Sequence, residues 1–228
     1  MAKFCVPSSG PDGWQGLLAS PSSHWRTGYS AKALAHCWET ASGFPESVTK
    51  IFSESEFPVF RDMEFILGLP EHQTPLVGGT RPSQSDIFVL PRSGRGLVSI
   101  TVEGKVAEAF GSSLTGDWLK DGSPGKRVRL ADLRKRLGLS RKRVDHIWYQ
   151  LLHRTASALI EAERFCATTA VMLVHSFNQE HARFENYRNF VELFGKSTEP
   201  NSVTYIGRRN GIALYTAWVV GEQEYLAV

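Results

Sequence analysis

"SQSDIFVLPRSGRGLVSITVEGKV", Ser83 to Val106, holds two β-rich runs around a glycine-containing connection, and its reading sets the fold. In the second run Val98, Ile100 and Val102 are apolar, while Ser99, Thr101, Glu103 and Lys105 are polar. That alternation is the period of a strand, and the short gap "PRSGRG" predicts a hairpin. A turn centred on the gap places Asp86 opposite Thr101 and one diagonal step from Glu103, on the same face, because strand geometry preserves parity across a pair. Diagonal side chains lie roughly 7–8 Å apart, within reach of one hard cation. Lys105, two residues beyond Glu103, shares that face.

The pattern has a chemical logic. Two adjacent carboxylates repel, and ionising both without a partner is costly. A Mg²⁺ or Mn²⁺ ion resolves the repulsion, with the Gly104 carbonyl as a further oxygen ligand. Such an ion polarises a phosphoryl oxygen and acidifies its water, while Lys105 orients that water or neutralises growing charge.

Outward from the hairpin, Ser30 offers an N-cap to "AKALAHCWETAS", which Gly43 and Pro45 close, and a weaker helix follows over 46–53. "MEFILGL" reads as a strand ended by Pro70, and "LVGGTRPSQS" and "GSSLTGDWLKDGSPGKR" as loops. "LADLRKRLGL" is a short helix. From Val144, "VDHIWYQLLHRTASALIEAERF" is the longest helical pattern. Its polar stripe is Gln150, His153, Arg154, Ser157 and Glu161. "TAVMLVHSF" is a strand covered on both faces. A helix in "EHARFENYRNFVELF" and the strands "VTYIG" and "IALYTAWVV" end the chain. The order predicts an α/β fold with a mixed central sheet flanked by helices. Residues 1–28, rich in Ser, Pro and Gly, read as a loop-rich lead-in to one domain over 29–228.

Composition narrows the class further. Hydrophobic content of 42% and charged content of 21% are those of an ordinary globular protein. The first residues lack a secretory pattern, and no apolar run approaches the roughly 18 residues of a membrane span. Cys5, Cys37 and Cys166 are scattered and odd in number, which argues against disulfides or a zinc knuckle and for a reducing, cytoplasmic setting. Lys120 to Arg143 carries ten basic residues against two aspartates, a local +8 in a chain of net +3. That block predicts an anionic partner such as nucleic acid, with Lys126, Arg127 and Arg129 tracking its backbone.

"SD" at Ser85–Asp86, followed 17 residues on by "EGK" at Glu103–Lys105, resembles the PD-(D/E)xK motif of restriction-endonuclease-like nucleases, with Ser85 in place of Pro. The predicted helix, hairpin, helix and strand resemble that superfamily's αβββαβ core over residues 30–177. The chain also resembles a bacterial family with no assigned substrate.

The superfamily resemblance implies a metal-dependent nuclease acting on phosphodiester bonds, of DNA rather than RNA, with Mg²⁺ or Mn²⁺ as cofactor. It makes Asp86, Glu103 and Gly104 metal ligands and Lys105 the catalytic lysine. Gln150 resembles the glutamine of the RecB-like branch, whose following tyrosine is Arg154 here; Arg154 would hold a phosphate. Glu39 and Glu71 are candidates for an extra acid, with Glu64 as a competitor. A homodimer would suit double-strand cleavage. The alternative is the same fold serving only to bind nucleic acid or to scaffold. His175, ending an apolar strand, reads as a hydrogen-bonded structural residue or as the centre of a different hydrolase.

Overall fold

The computed structural model describes residues 10–41 and 43–228. Seven helices are described: α1 (Pro21–His24), α2 (Ser30–Ala41), α3 (Glu46–Glu54), α4 (Thr115–Trp118), α5 (Pro124–Leu137), α6 (Tyr149–Arg164) and α7 (Phe184–Glu192). Six strands, β1 (Glu64–Thr74), β2 (Ser83–Ser93), β3 (Gly96–Lys105), β4 (Thr169–Ser176), β5 (Ser202–Arg209) and β6 (Ile212–Val220), form one sheet in the order β1-β2-β3-β4-β6-β5. β1, β2 and β3 pair antiparallel, β3, β4 and β6 parallel, and β5 antiparallel to β6. The mixed α/β architecture expected from the sequence is the one observed.

Two cores sandwich the sheet. Val98, Ile100 and Val102 of β3 pack with Leu34, Trp38, Val48 and Phe52 of α2 and α3. On the opposite face Ala170, Met172 and Val174 of β4 pack with Leu133, Leu151, Leu159 and Tyr187 of α5, α6 and α7. The polar side of β3 therefore lies under a helix. Ser99 Oγ donates to the Ala158 carbonyl at 2.8 Å and Thr101 Oγ1 to the Arg154 carbonyl at 3.1 Å. Small hydroxyls let α6 approach the strand while each buried donor is satisfied. Consequently Arg154, Ser157 and Glu161, expected on a polar stripe of α6, are buried.

Several boundaries move for physical reasons. The hairpin closes with Ser93 opposite Gly96, leaving a two-residue connection, so Phe88 and not Asp86 faces Thr101. The shift of two residues preserves parity and carries Asp86 toward the level of Glu103. β1 runs through Pro70, which an edge strand tolerates. Ser85 lies in a central strand, where a proline would forfeit a ladder donor. α6 begins at Tyr149, because residues 145–148 pair instead with 114–116: Thr115 N bonds the Ile147 carbonyl at 2.8 Å. α5 begins earlier than expected, at Pro124, with Ser123 Oγ accepting from Lys126 N at 3.3 Å; Gly138, at φ 72°, ends it.

Of the expected lead-in, residues 1–9 lie outside the described residues. The rest is not a free loop: Pro11–Leu17 forms a 3₁₀ turn that buries Trp14 in the α2-side core.

The β1–β2 connection is strapped across α5. A Cβ on Gly78, at φ 84°, would fall 2.3 Å from the Gly125 carbonyl oxygen and 2.7 Å from the Arg129 nitrogen. Gly78→Ala is therefore expected to lower stability by about 1–3 kcal/mol in urea unfolding. Gly16→Ala, which meets open space, should change it by less than about 0.5 kcal/mol.

Candidate metal centre

The C-terminal end of β3, the N-terminal part of β2 and the adjoining stretch of β1 converge on one acidic cluster. Asp86 Oδ2 accepts the Gly104 N–H at 2.7 Å, which bends the aspartate onto β3 where the ladder ends. Glycine permits this approach, because a Cβ there would sit 3.3 Å from Asp86 Oδ2 and 3.2 Å from Leu34 Cδ2. Glu103 is 4% exposed and is held from two sides: Lys105 Nζ donates to its Oε1 at 2.6 Å and Arg154 Nε to its Oε2 at 2.6 Å. Lys105, also 4% exposed, has its ammonium 5.2 Å from the Phe110 ring centroid.

Glu71 completes the cluster from β1. It has the left-handed φ of 51° inside its strand and accepts from Gln84 Nε2 at 2.7 Å. A non-glycine residue in that region is strained, and such strain collects at functional sites. The two other candidate acids stand elsewhere. Glu39 accepts from Trp14 Nε1 at 2.8 Å, and Glu64 pairs with Arg92 near the hairpin turn. Sequence spacing offered no way to choose among the three, whereas strand register brings in Glu71 alone.

Charge is unevenly neutralised. Burial pushes the Glu71 carboxyl up to about 9, and the charges of Asp86 and Glu103 add to the rise. Burial, with the Glu103 charge, pushes Asp86 up to about 7 against the pull of Lys105 and Arg154. Burial also disfavours the Glu103 anion, but Lys105 and Arg154 outweigh it and hold that carboxyl below its ordinary value. For Lys105, burial is outweighed by Glu103 and Asp86, so its pKa is raised. One carboxylate thus has two cationic partners, while two others lack a cation of their own. All three offer oxygen, the donor hard divalent cations take, although among the described residues only Cys37, His175 and Glu222 bring three ligand atoms within 4.8 Å of one another.

The other expected site residues are placed differently. Gln150 lies against Gly111 and bonds no residue of the cluster; Arg154, one turn later on α6, is the residue that touches Glu103. The expected nucleic-acid contacts are mostly engaged internally. Lys126 donates to Asp121 and to the Trp118 carbonyl, Arg129 to the Val77 carbonyl, and Arg154 to Glu103. Arg127 remains exposed without an ion pair among the described residues. Arg81, on the β1–β2 strap, is likewise exposed and lies close enough to depress the pKa of His153.

A second group of donor atoms, Cys37, His175 and Glu222, lies beneath α2 on the other face. Trp38 Nε1 donates to His175 Nδ1 at 3.0 Å, which assigns the proton of the neutral ring to Nε2 and leaves that nitrogen no lone pair for a metal. Burial lowers the His175 pKa to about 4 and raises the Cys37 thiol far above its usual range. This is a buried hydrogen-bonded anchor for the C-terminal segment, the structural alternative for His175.

Residues 7–223 match the family described as Domain of unknown function (DUF6946), and the chain belongs to that family. No curated protein and no solved structure matches it. No helix among the described residues is long and apolar enough to cross a membrane.

The uneven charge has a measurable consequence. Between pH 8 and 9 the histidines with lowered pKa values are neutral in both folded and unfolded chains, Glu71 and the remainder of Asp86 titrate only in the folded one, and Cys37 only in the unfolded one. The folded state then binds more protons than the unfolded, so stability falls as pH rises, by at most about 1.4 kcal/mol per unit for one proton. Urea titrations in EDTA should show this decline, and Glu71→Gln should flatten it.

Proposed function

We propose that the protein is a divalent-metal-dependent phosphodiesterase acting on nucleic acid, DNA rather than RNA. The observation that carries the reading is the meeting of Asp86, Glu103 and Lys105 with Glu71 at one end of the sheet, on a hairpin flanked by helices. The resemblance of this spacing to PD-(D/E)xK nucleases supports the same reading.

Asp86 and Glu71, with Glu103, are the residues to hold Mg²⁺ or Mn²⁺. When bound, such an ion supplies charge neutralisation and an acidified water. Lys105, fixed by Glu103 at 2.6 Å, orients the nucleophile. Arg154 steadies the other Glu103 oxygen and offers its remaining N–H groups to a phosphate. Arg81 and Arg127 contact the nucleic-acid backbone.

One observation favours a second reading, a nucleic-acid-binding module without catalysis. Both Glu103 oxygens are occupied by protein cations, as in a site that has become purely structural.

Cleavage of mixed DNA and RNA substrates with Mg²⁺ or Mn²⁺ separates the two. On the nuclease reading, wild type cuts and EDTA stops it, while Lys105→Met and Asp86→Asn each lose at least about 100-fold. Mn²⁺ raises the melting temperature of wild type and not of Asp86→Asn. Binding without cutting or metal stabilisation supports the module. In either case, Arg81→Ser with Arg127→Ser should weaken DNA binding and reduce the log–log salt slope by about 2.

A further inference from the structure

Arg154 is oriented by more than its bond to Glu103. Its Nη1 donates to Ser83 Oγ at 3.0 Å, and Ser83 Oγ lies 2.8 Å from His153 Nδ1. Guanidinium nitrogens only donate, so Ser83 Oγ is the acceptor there, and its single proton is free to go to His153. A ring that takes that proton accepts at Nδ1 and carries its own proton at Nε2. A second contact favours the same tautomer: Arg154 Nη1, which can only donate, also lies 3.4 Å from His153 Nδ1, whose one lone pair then faces both donors. Burial and the charges of Arg154, Arg129 and Arg81 keep the ring neutral, as an acceptor must be.

The two bonds from Arg154 have a fixed direction, and the neutral Nε2–H ring extends the chain consistently to His153. Arg154 donates forward to Glu103 and backward to Ser83, and Ser83 donates to His153. Ser83 opens β2 three residues before Asp86, Glu103 ends β3, and His153 and Arg154 sit on α6. The links join β2, β3 and α6, three of the four elements that meet at the carboxylates. Ser83 is 1% exposed and Arg154 8%, so water does not readily replace a missing partner.

We infer that Ser83 and His153 are positioning residues, which hold the Arg154 guanidinium with Nε on Glu103 and its free edge toward the phosphate site. This rests on the reading of Glu103 and Arg154 as parts of a phosphodiesterase site. Neither residue touches the reacting atoms. Each acts through Arg154.

The experiment reads position and activity separately. In ¹⁵N-labelled full-length protein, the Arg154 Nε–H resonance is identified by its loss in Arg154→Lys and followed by proton exchange. Ser83→Ala and His153→Leu should speed that exchange about tenfold or more, as expected for loss of a buried hydrogen bond. Ser83→Thr keeps the hydroxyl, and His153→Asn keeps an acceptor near Nδ1, so both should stay close to wild type. In metal-dependent cleavage of a short DNA, Ser83→Ala should lower kcat about tenfold with Mn²⁺ affinity unchanged, and Ser83→Thr should restore it. Exchange at Arg154 that is indifferent to Ser83→Ala, or equal losses in Ser83→Ala and Ser83→Thr, overturns the inference. Exchange that responds as expected in a protein that cuts nothing keeps the positioning role and overturns the phosphodiesterase reading instead.

Discussion

A carboxylate buried between two cations organises this end of the molecule. Glu103 has almost no access to water, and its anion is tolerated because Lys105 and Arg154 each donate to a different oxygen. Desolvation of such a group costs several kcal/mol, so removing either partner leaves a charge that little else compensates. The constraint reaches outward. β3 must run on to Lys105, α6 must present Arg154 at the right turn, and Ser99 and Thr101 must be small enough to let α6 lie on the strand.

The same interaction leaves the cluster incomplete elsewhere. With both nearby cations committed to Glu103, Asp86 and Glu71 carry raised pKa values beside each other. Gly104 N–H and Gln84 supply hydrogen bonds but no charge. Burial is the larger cause of both shifts, and the part that comes from like charge is the part a divalent cation would relieve. Strain at Glu71 fits this picture, since a strand ordinarily avoids positive φ.

The basic block has a different significance in three dimensions from the one its charge suggests. Arg134 bonds the Leu139, Ser140 and Lys142 carbonyls, and Arg136 bridges Asp132 and Glu163. These side chains close the end of α5 and tie it to α6. Formal charge counts every guanidinium alike, but only those without an internal partner present their full field to a polyanion. Arg127 and Arg81 meet that condition, as do the exposed Lys135, Arg141 and Lys142, and Arg81 lies outside the block.

The sequence by itself determined the elements whose signal is local. Period-two alternation in β3, the all-apolar run of β4 and the helical repeat of α6 each follow from residues close in the chain, and so did the mixed sheet they imply. Asp86, Glu103 and Lys105 were legible because one hairpin holds all three. What tertiary structure alone decided were relations between distant segments: Glu71 as the third acid, Arg154 in place of Gln150, and the Ser83–His153 contact behind it. Those depend on the register of β1 on β2 and on the rotation of α6 over the sheet. Both are set by packing and by where buried donors find acceptors, which spacing along one chain does not encode.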